Sequence, residues 1–262
     1  MQTIPNLPSE VECQRLLTTW LMGIRRQCPT CARRCTKGFG YYWCAQCRRK
    51  LRPRALTWLA GSNLPARQLL TLVLCWQQKA SPGTVRLCTG LSYPTIRRWY
   101  RRFPAHLPQD AAALRGLVEV DEAFFGRQKH RNQAIVVGAV ERHTNRLRLS
   151  VVADRQTETL EEFVLGAVTS DSLVHTDAWG GYATLEHYGL GHEPCNHSRG
   201  NFGPTNHIEA VWSSQKRQLR RMYGQIRTEH LPLFLVEWEG RYNYPGLFTC
   251  PLTFLQATVV PD

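Results

Sequence analysis

Apolar residues recur at helical spacing in the first part of this chain and gather into short β-branched or aromatic runs after residue 116. Val11, Leu16, Leu17, Trp20 and Leu21 predict one amphipathic helix within residues 1–24. Residues 64–104 predict further helices, with a turn at Thr89-Gly90 and Pro104 closing the run. Beyond them, LVEVDEAFFG, QAIVVGAVERH and RLRLSVVAD read as three successive strands, the last two joined through HTNR as a hairpin. TETLEEFVLGAV predicts a helix capped by Thr157, with Leu160, Phe163, Val164 and Val168 on one face. DSLVHTD is a short fourth strand, TLEHYG a helix, HEPCNHS a further strand, and residues 205–223 a long helix.

Three adjacent strands, a helix, a strand, then helices with more β structure describe an α/β core of the ribonuclease H-like kind, a mixed sheet flanked by helices. The expected organisation is an N-terminal helix (1–24), a Cys-rich basic segment (25–54), a helical region (55–104), a Pro-containing linker (105–116), the α/β domain (117–245) and a C-terminal tail (246–262).

Charge divides along the same line. Residues 1–110 carry 18 Lys and Arg against 3 Asp and Glu, and residues 111–262 carry 15 against 17, within a net +13. A basic front half ahead of a near-neutral domain points to nucleic-acid contact by the first and chemistry by the second. No apolar stretch is long enough to span a membrane, and the first residues lack a basic then apolar leader, so a cytoplasmic, reducing setting is expected.

In that setting clustered cysteines favour metal over disulfides. Five of the ten lie between Cys28 and Cys47, and Cys28-Pro-Thr-Cys31 and Cys44-Ala-Gln-Cys47 form two CxxC pairs twelve residues apart. Two such knuckles make a closed tetrahedral site for a structural Zn²⁺, with Cys35 a spare. Arg48, Arg49 and Lys50 belong to a dense basic shell suited to phosphate contact. Residues 84–103 fit a helix-turn-helix: Val85 and Leu87 in its first helix, Ile96, Trp99 and Phe103 on the apolar face of its second, and Arg97, Arg98, Arg101 and Arg102 towards DNA.

Three acids sit where separate elements could bring carboxylates together for two-metal phosphodiester chemistry. Asp121 interrupts a strand, with Glu119 and Glu122 as competitors for its role; Glu122 points to the opposite side. Asp177 ends a strand before Trp179-Gly180-Gly181, and Glu209 lies on a helical polar stripe with Asn206, Ser213, Lys216 and Arg220. Lys216, two turns beyond Glu209, and Arg220 are expected to reach DNA.

VEVDEAFFG, VHTDAWGGY, CNHS, TNHIEAVWSSQKR and EWEGRYN, in this order behind a CxxC…CxxC ribbon, resemble the DDE transposases of bacterial insertion sequences, in particular the zinc-ribbon ISXO-type group. The resemblance covers about residues 25–245. It implies an acidic triad at Asp121, Asp177 and Glu209 holding two Mg²⁺ ions (Mn²⁺ substituting), and Lys216 as the basic residue seven positions after the Glu. His175, Asn196, His197 and Asn206 are expected around the site. The activity implied is metal-dependent nicking and strand transfer at terminal inverted repeats, by a homodimer or larger assembly on DNA. A nuclease that cuts without joining, or an inactive zinc-ribbon regulator, are the competing classes.

Overall fold

The computed structural model describes residues 8–23, 26–109, 112–126, 133–177, 180–195, 205–224 and 226–259. The chain divides into two compact units, Met1–Pro108 with Gly246–Asp262, and Gln109–Pro245.

The first unit begins with α1 (Glu10–Met22), opened by a reciprocal Ser9–Glu12 capping box. Its inward residues are Cys13, Leu17, Thr18 and Leu21, whereas Val11, Leu16 and Trp20 face outward. The expected stripe is thus rotated, because α1 carries apolar side chains on more than one face and packing against later elements selects among them. A three-stranded antiparallel sheet follows, β1 (Thr36–Lys37), β2 (Tyr42–Cys44) and β3 (Arg49–Leu51). Helix α2 (Ala66–Gln77) starts behind Pro65 without a cap of its own. Glu10 supplies one from α1, its two oxygens accepting from the N–H groups of Ala66 and Arg67 at 2.7 and 2.8 Å.

Helices α3 (Pro82–Thr89) and α4 (Tyr93–Arg102) each open on a serine, Ser81 and Ser92, with proline in the first turn. Gly90, in the left-handed conformation at φ 70°, ends α3 and makes the expected turn. Val85, Ile96, Trp99 and Phe103 are buried as expected, but Leu87 points out at 89% exposure. Residues 246–262, expected as a tail, contain a helix (Pro251–Val259) of this unit. Phe254 meets Trp76 and Phe103 with ring centroids 5.0 and 5.8 Å apart, and the buried Gln77 amide donates to the carbonyls of Leu247 and Cys250.

The second unit is built on five strands, β4 (Leu117–Phe125), β5 (Ala134–Glu141), β6 (Leu147–Val152), β7 (Leu173–Asp177) and β8 (Gly191–Cys195), in the order β6-β5-β4-β7-β8. The first three are antiparallel neighbours, and β7 and β8 run parallel to β4. Helix α5 (Thr157–Ala167) covers one face with Leu160 and Val164; α6 (Asn206–Met222) and α7 (Leu231–Asn243) cover the other with Ile208, Trp212, Phe234 and Trp238. This strand order, with helices on both faces, is ribonuclease H-like.

Two local expectations are corrected. Thr157 is the first helical residue of α5 and not its cap; Gln156 stands at the cap position, and Asp154 fixes the turn before it, accepting from the Gln156 N–H and the Thr159 hydroxyl. TLEHYG forms a short 3-10 turn, Leu185–Tyr188, ended by Gly189. Among the described residues no helix is long and apolar enough to cross a membrane.

Candidate functional site

The sulfurs of Cys28, Cys31, Cys44 and Cys47 all lie within 4.8 Å of one another. The residue after each pair, Ala32 and Arg48, has a left-handed backbone, φ 55° and 51°, which folds each CxxC into a tight knuckle. The Thr30 N–H pulls the Cys28 thiol down to about 6, while a hydrogen bond with Cys31, and then burial, push the Cys47 thiol up to about 12. Four converging soft ligands fit Zn²⁺, and leave it no open position for a substrate. Cys35 stands outside the group, its thiol donating to the Arg33 carbonyl.

Arg48, Arg49 and Lys50 are exposed beside the knuckles, Arg49 donating to Thr30. On α4, Arg97, Arg98 and Arg101 are exposed. Arg102 differs: it packs its guanidinium 5.5 and 5.1 Å from the Trp58 and Trp99 rings and donates to the Trp58 carbonyl, so it is tied into the unit.

In the second unit, the parallel ladder of β4 and β7 ends with Glu119 opposite His175, and two residues beyond it on each strand stand Asp121 and Asp177. In the next strand Glu193 and Cys195 lie opposite His175 and Asp177. Asp121 is mostly buried, and burial, reinforced by Glu122 and Asp177, raises its carboxyl to about 6. Adjacent hard oxygens that resist ionising together fit a divalent cation. The four cysteines are nevertheless the one set of such ligands within 4.8 Å of each other among the described residues, so the three carboxylates are more widely spread than a single-ion cage.

Helix α6 is fastened along β4 at successive points. The N–H groups of His207 and Ile208 donate to Glu119 Oε2 at 2.8 and 3.1 Å. Trp212 Nε1 donates to Asp121 Oδ2 at 3.0 Å, its ring edge-on to Phe125, and Lys216 Nζ lies 5.8 Å from the Phe125 centroid. Glu209 therefore leaves the first turn of a helix held at both Glu119 and Asp121, with Thr205 donating to its carboxylate. Gly138 opposite Asp121 makes the fit possible: a Cβ there would come within 2.6 Å of the Trp212 ring.

Glu119 and Glu122, the competitors for Asp121's role, are both buried and engaged elsewhere. Glu119 caps α6, with Arg142 3.6 Å away. Glu122, on the opposite face, pairs with Arg155 at 2.7 Å and accepts from Tyr182, while Glu161 accepts from Thr184. These two carboxylates pin the segment that follows Asp177. His175 is buried 3.1 Å from the Glu193 carboxylate, and Asn206 and Arg220 are exposed on α6. Asn196 and His197 lie outside the described residues.

Replacing Glu119 by Ala is expected to cost about 3 kcal/mol of unfolding free energy in urea, because two helix-end donors and Arg142 lose a buried anion. Glu119→Gln keeps an acceptor and should recover about half. Equal stability of all three chains would remove the capping role.

Residues 113–243 match the profile of the ISXO2-like transposase domain. The chain belongs to this family. A Haemophilus influenzae protein described as an uncharacterized transposase-like protein is 34% identical over 96 residues, 36% of this chain and 77% of that one. Among solved structures, the catalytic core of BIV integrase aligns at TM-score 0.36 with 16% identity, over 48% of this chain and 82% of that one. The HTLV-2 integrase catalytic core, solved with magnesium in a trimeric form, aligns at 0.33 with 12% identity, over 50% and 87%. At those scores the fold rests on the strand order and not on the integrases.

For this ISXO2-like transposase, DNA transposition is the general activity. Its closing EWEGRYN run serves the fold: Glu237 accepts from Gln218 and Arg241, while Glu239 and Asn243 satisfy the edge strand β6 at Leu149 and Leu147. Trp212 and Gly138 were not singled out from the sequence. The glycine inside a β-branched run was the available signal for a close approach.

Proposed function

We propose that this transposase binds terminal inverted repeats through its ribbon and the α3–α4 pair, acting as a helix-turn-helix, and cuts and joins DNA strands at Asp121, Asp177 and Glu209. The observation that supports this most is that the charge of Asp177 bears on Asp121, while α6 is tied to the same strand. These three carboxylates would hold two Mg²⁺ ions, Mn²⁺ substituting, which when bound supply activation of the attacking oxygen and neutralise charge on the leaving one. Glu119 and Trp212 fix where the carboxylates stand. Lys216 and Arg220, on the exposed side of α6, take the phosphates, and His175, Asn196, His197 and Asn206 support the site. Water first attacks a phosphodiester at the element's end, releasing a 3′-OH; that hydroxyl then attacks a target phosphodiester, one P–O bond forming as another breaks. No ATP is consumed. Joining two ends calls for a homodimer or larger assembly on DNA, working in the cytoplasm, with Zn²⁺ holding the ribbon.

The test is a strand-transfer assay with a pre-cut inverted-repeat end and a plasmid target. Joined product with Mg²⁺ or Mn²⁺, and none with EDTA, is expected. Cutting without joining would assign a nuclease, and no DNA chemistry with either metal would overturn the reading.

A further inference from the structure

We propose that the outer face of the ribbon sheet is a stacking platform for unpaired bases of a DNA strand. This deepens the DNA contact proposed for the ribbon and rests on that reading.

The sheet has two unlike faces. Tyr42 and Cys44 on β2 and Leu51 on β3 turn inward, onto Cys28 and Cys35. Strand alternation sends Trp43 outward from between them, where it is 38% exposed. The antiparallel register sets Thr36 opposite it on β1 and Lys50 opposite it on β3, so the three side chains form one row across the outer face. Lys50 is held beside it, with Nζ 4.8 Å from the centroid of the Tyr41 ring. That ring lies over Gly38, where a Cβ would strike it. The Gly38 N–H donates to the Tyr41 carbonyl to close the hairpin, and Phe39 at its tip is 61% exposed.

Two large rings left in water on so small a module are unfavourable unless a partner covers them. Charge sets what that partner is. Residues 25–54 carry ten Lys and Arg and no Asp or Glu, and Arg33, Arg34, Arg48 and Lys50 are exposed. Such a surface selects a polyanion. Phosphate contact alone needs no aromatic side chain, and in a duplex the faces of the bases are already stacked on one another. An unpaired strand offers both groups at once, phosphates for the cations and free base faces for the rings. Because every base has such a face, this contact takes a strand end or gap of any sequence.

The experiment is fluorescence anisotropy of the full, zinc-loaded chain with labelled oligo(dT), a blunt duplex of mixed sequence, and the same duplex carrying a short dT tail. Wild type is expected to hold the tailed duplex about tenfold tighter than the blunt one. In Trp43→Ala that ratio should fall to near one, and oligo(dT) binding should weaken about tenfold, the share of one stacked base. Trp43→Phe, which keeps a ring, should restore most of the loss. Lys50→Ala should reduce the salt dependence of oligo(dT) binding by roughly one phosphate contact, which Trp43→Ala should not. Bromodeoxyuridine in the tail, irradiated in the wild-type complex, should cross-link to Trp43 or Phe39. Zinc content equal to wild type in each variant separates loss of the ring from loss of the ribbon.

An unchanged tail preference in zinc-loaded Trp43→Ala overturns the platform, as does a wild-type chain that ignores the tail. Self-association abolished by Trp43→Ala, with oligo(dT) binding intact, would give the face to a second copy and overturn it too. Strand transfer without tail preference would remove the platform and leave the transposase reading standing. Tail preference without strand transfer would do the reverse.

Discussion

Asp121→Asn is expected to abolish strand joining while making the metal-free chain harder to unfold. The Asp121 carboxyl is raised to about 6, first by burial and then by Glu122 and Asp177, above its ordinary 3.8. The unfolded chain thus releases this proton at a lower pH than the folded one. The share of stability that depends on Asp121 is highest below about pH 4, falls as pH rises towards 6, and carries a constant deficit above that. Two pH units at about 1.4 kcal/mol each make the deficit roughly 2–3 kcal/mol. Asparagine cannot ionise, and its carbonyl still accepts from Trp212, so in EDTA at pH 7.5 the variant should gain about that much in urea unfolding. The gain should disappear below pH 4. Mg²⁺ should reverse the order by stabilising wild type alone, while joining by the variant drops about a thousandfold or more, several kcal/mol of transition-state stabilisation. Wild-type joining by a folded Asp121→Asn chain would remove Asp121 from the site.

The second large effect lies in the ribbon. Stripping zinc, or exchanging Cys44 for Ser, is expected to unfold residues 26–51, because the three short strands carry only a small core of Tyr42, Leu51 and the cysteines themselves. Structural zinc contributes about 10 kcal/mol or more in such small modules. One zinc per chain, new proteolytic cleavage within the ribbon after chelation, and lost binding to inverted-repeat DNA are the expected results. Cys35→Ser should keep its zinc, since that sulfur stands apart. A ribbon that stays protease-resistant without metal would refute the assignment.

The sheet was legible because β-branched runs announce strands whatever surrounds them, and the Glu209 helix because its polar and apolar stripes separate cleanly. What escaped depends on distant partners. Nothing local to α6 indicates that Glu119, 88 positions before His207, caps its first turn, or that Glu10 caps α2. The wrong face of α1 has the same origin: Val11, Leu16 and Trp20 are as apolar as Leu17 and Leu21, and only α2 and the C-terminal helix decide between them. Thr157 proved to be inside α5 because the Asp154 turn that leads into the helix lies outside the helical period. For the site, three acids could be placed on elements, but the indole bonded to Asp121 could not, since its role requires Gly138 to face Asp121 across the sheet.

The last helix of the chain completes the first unit. Phe254 packs on Trp76 and Phe103, and Leu247 and Cys250 supply carbonyls to the Gln77 amide. Synthesis runs from the N-terminus, so on the ribosome the front unit stays open while the whole second unit is being made. A message cut short before residue 246 would yield a second unit attached to an unfinished first one. Completion of the front unit thus waits on residues made after the second unit.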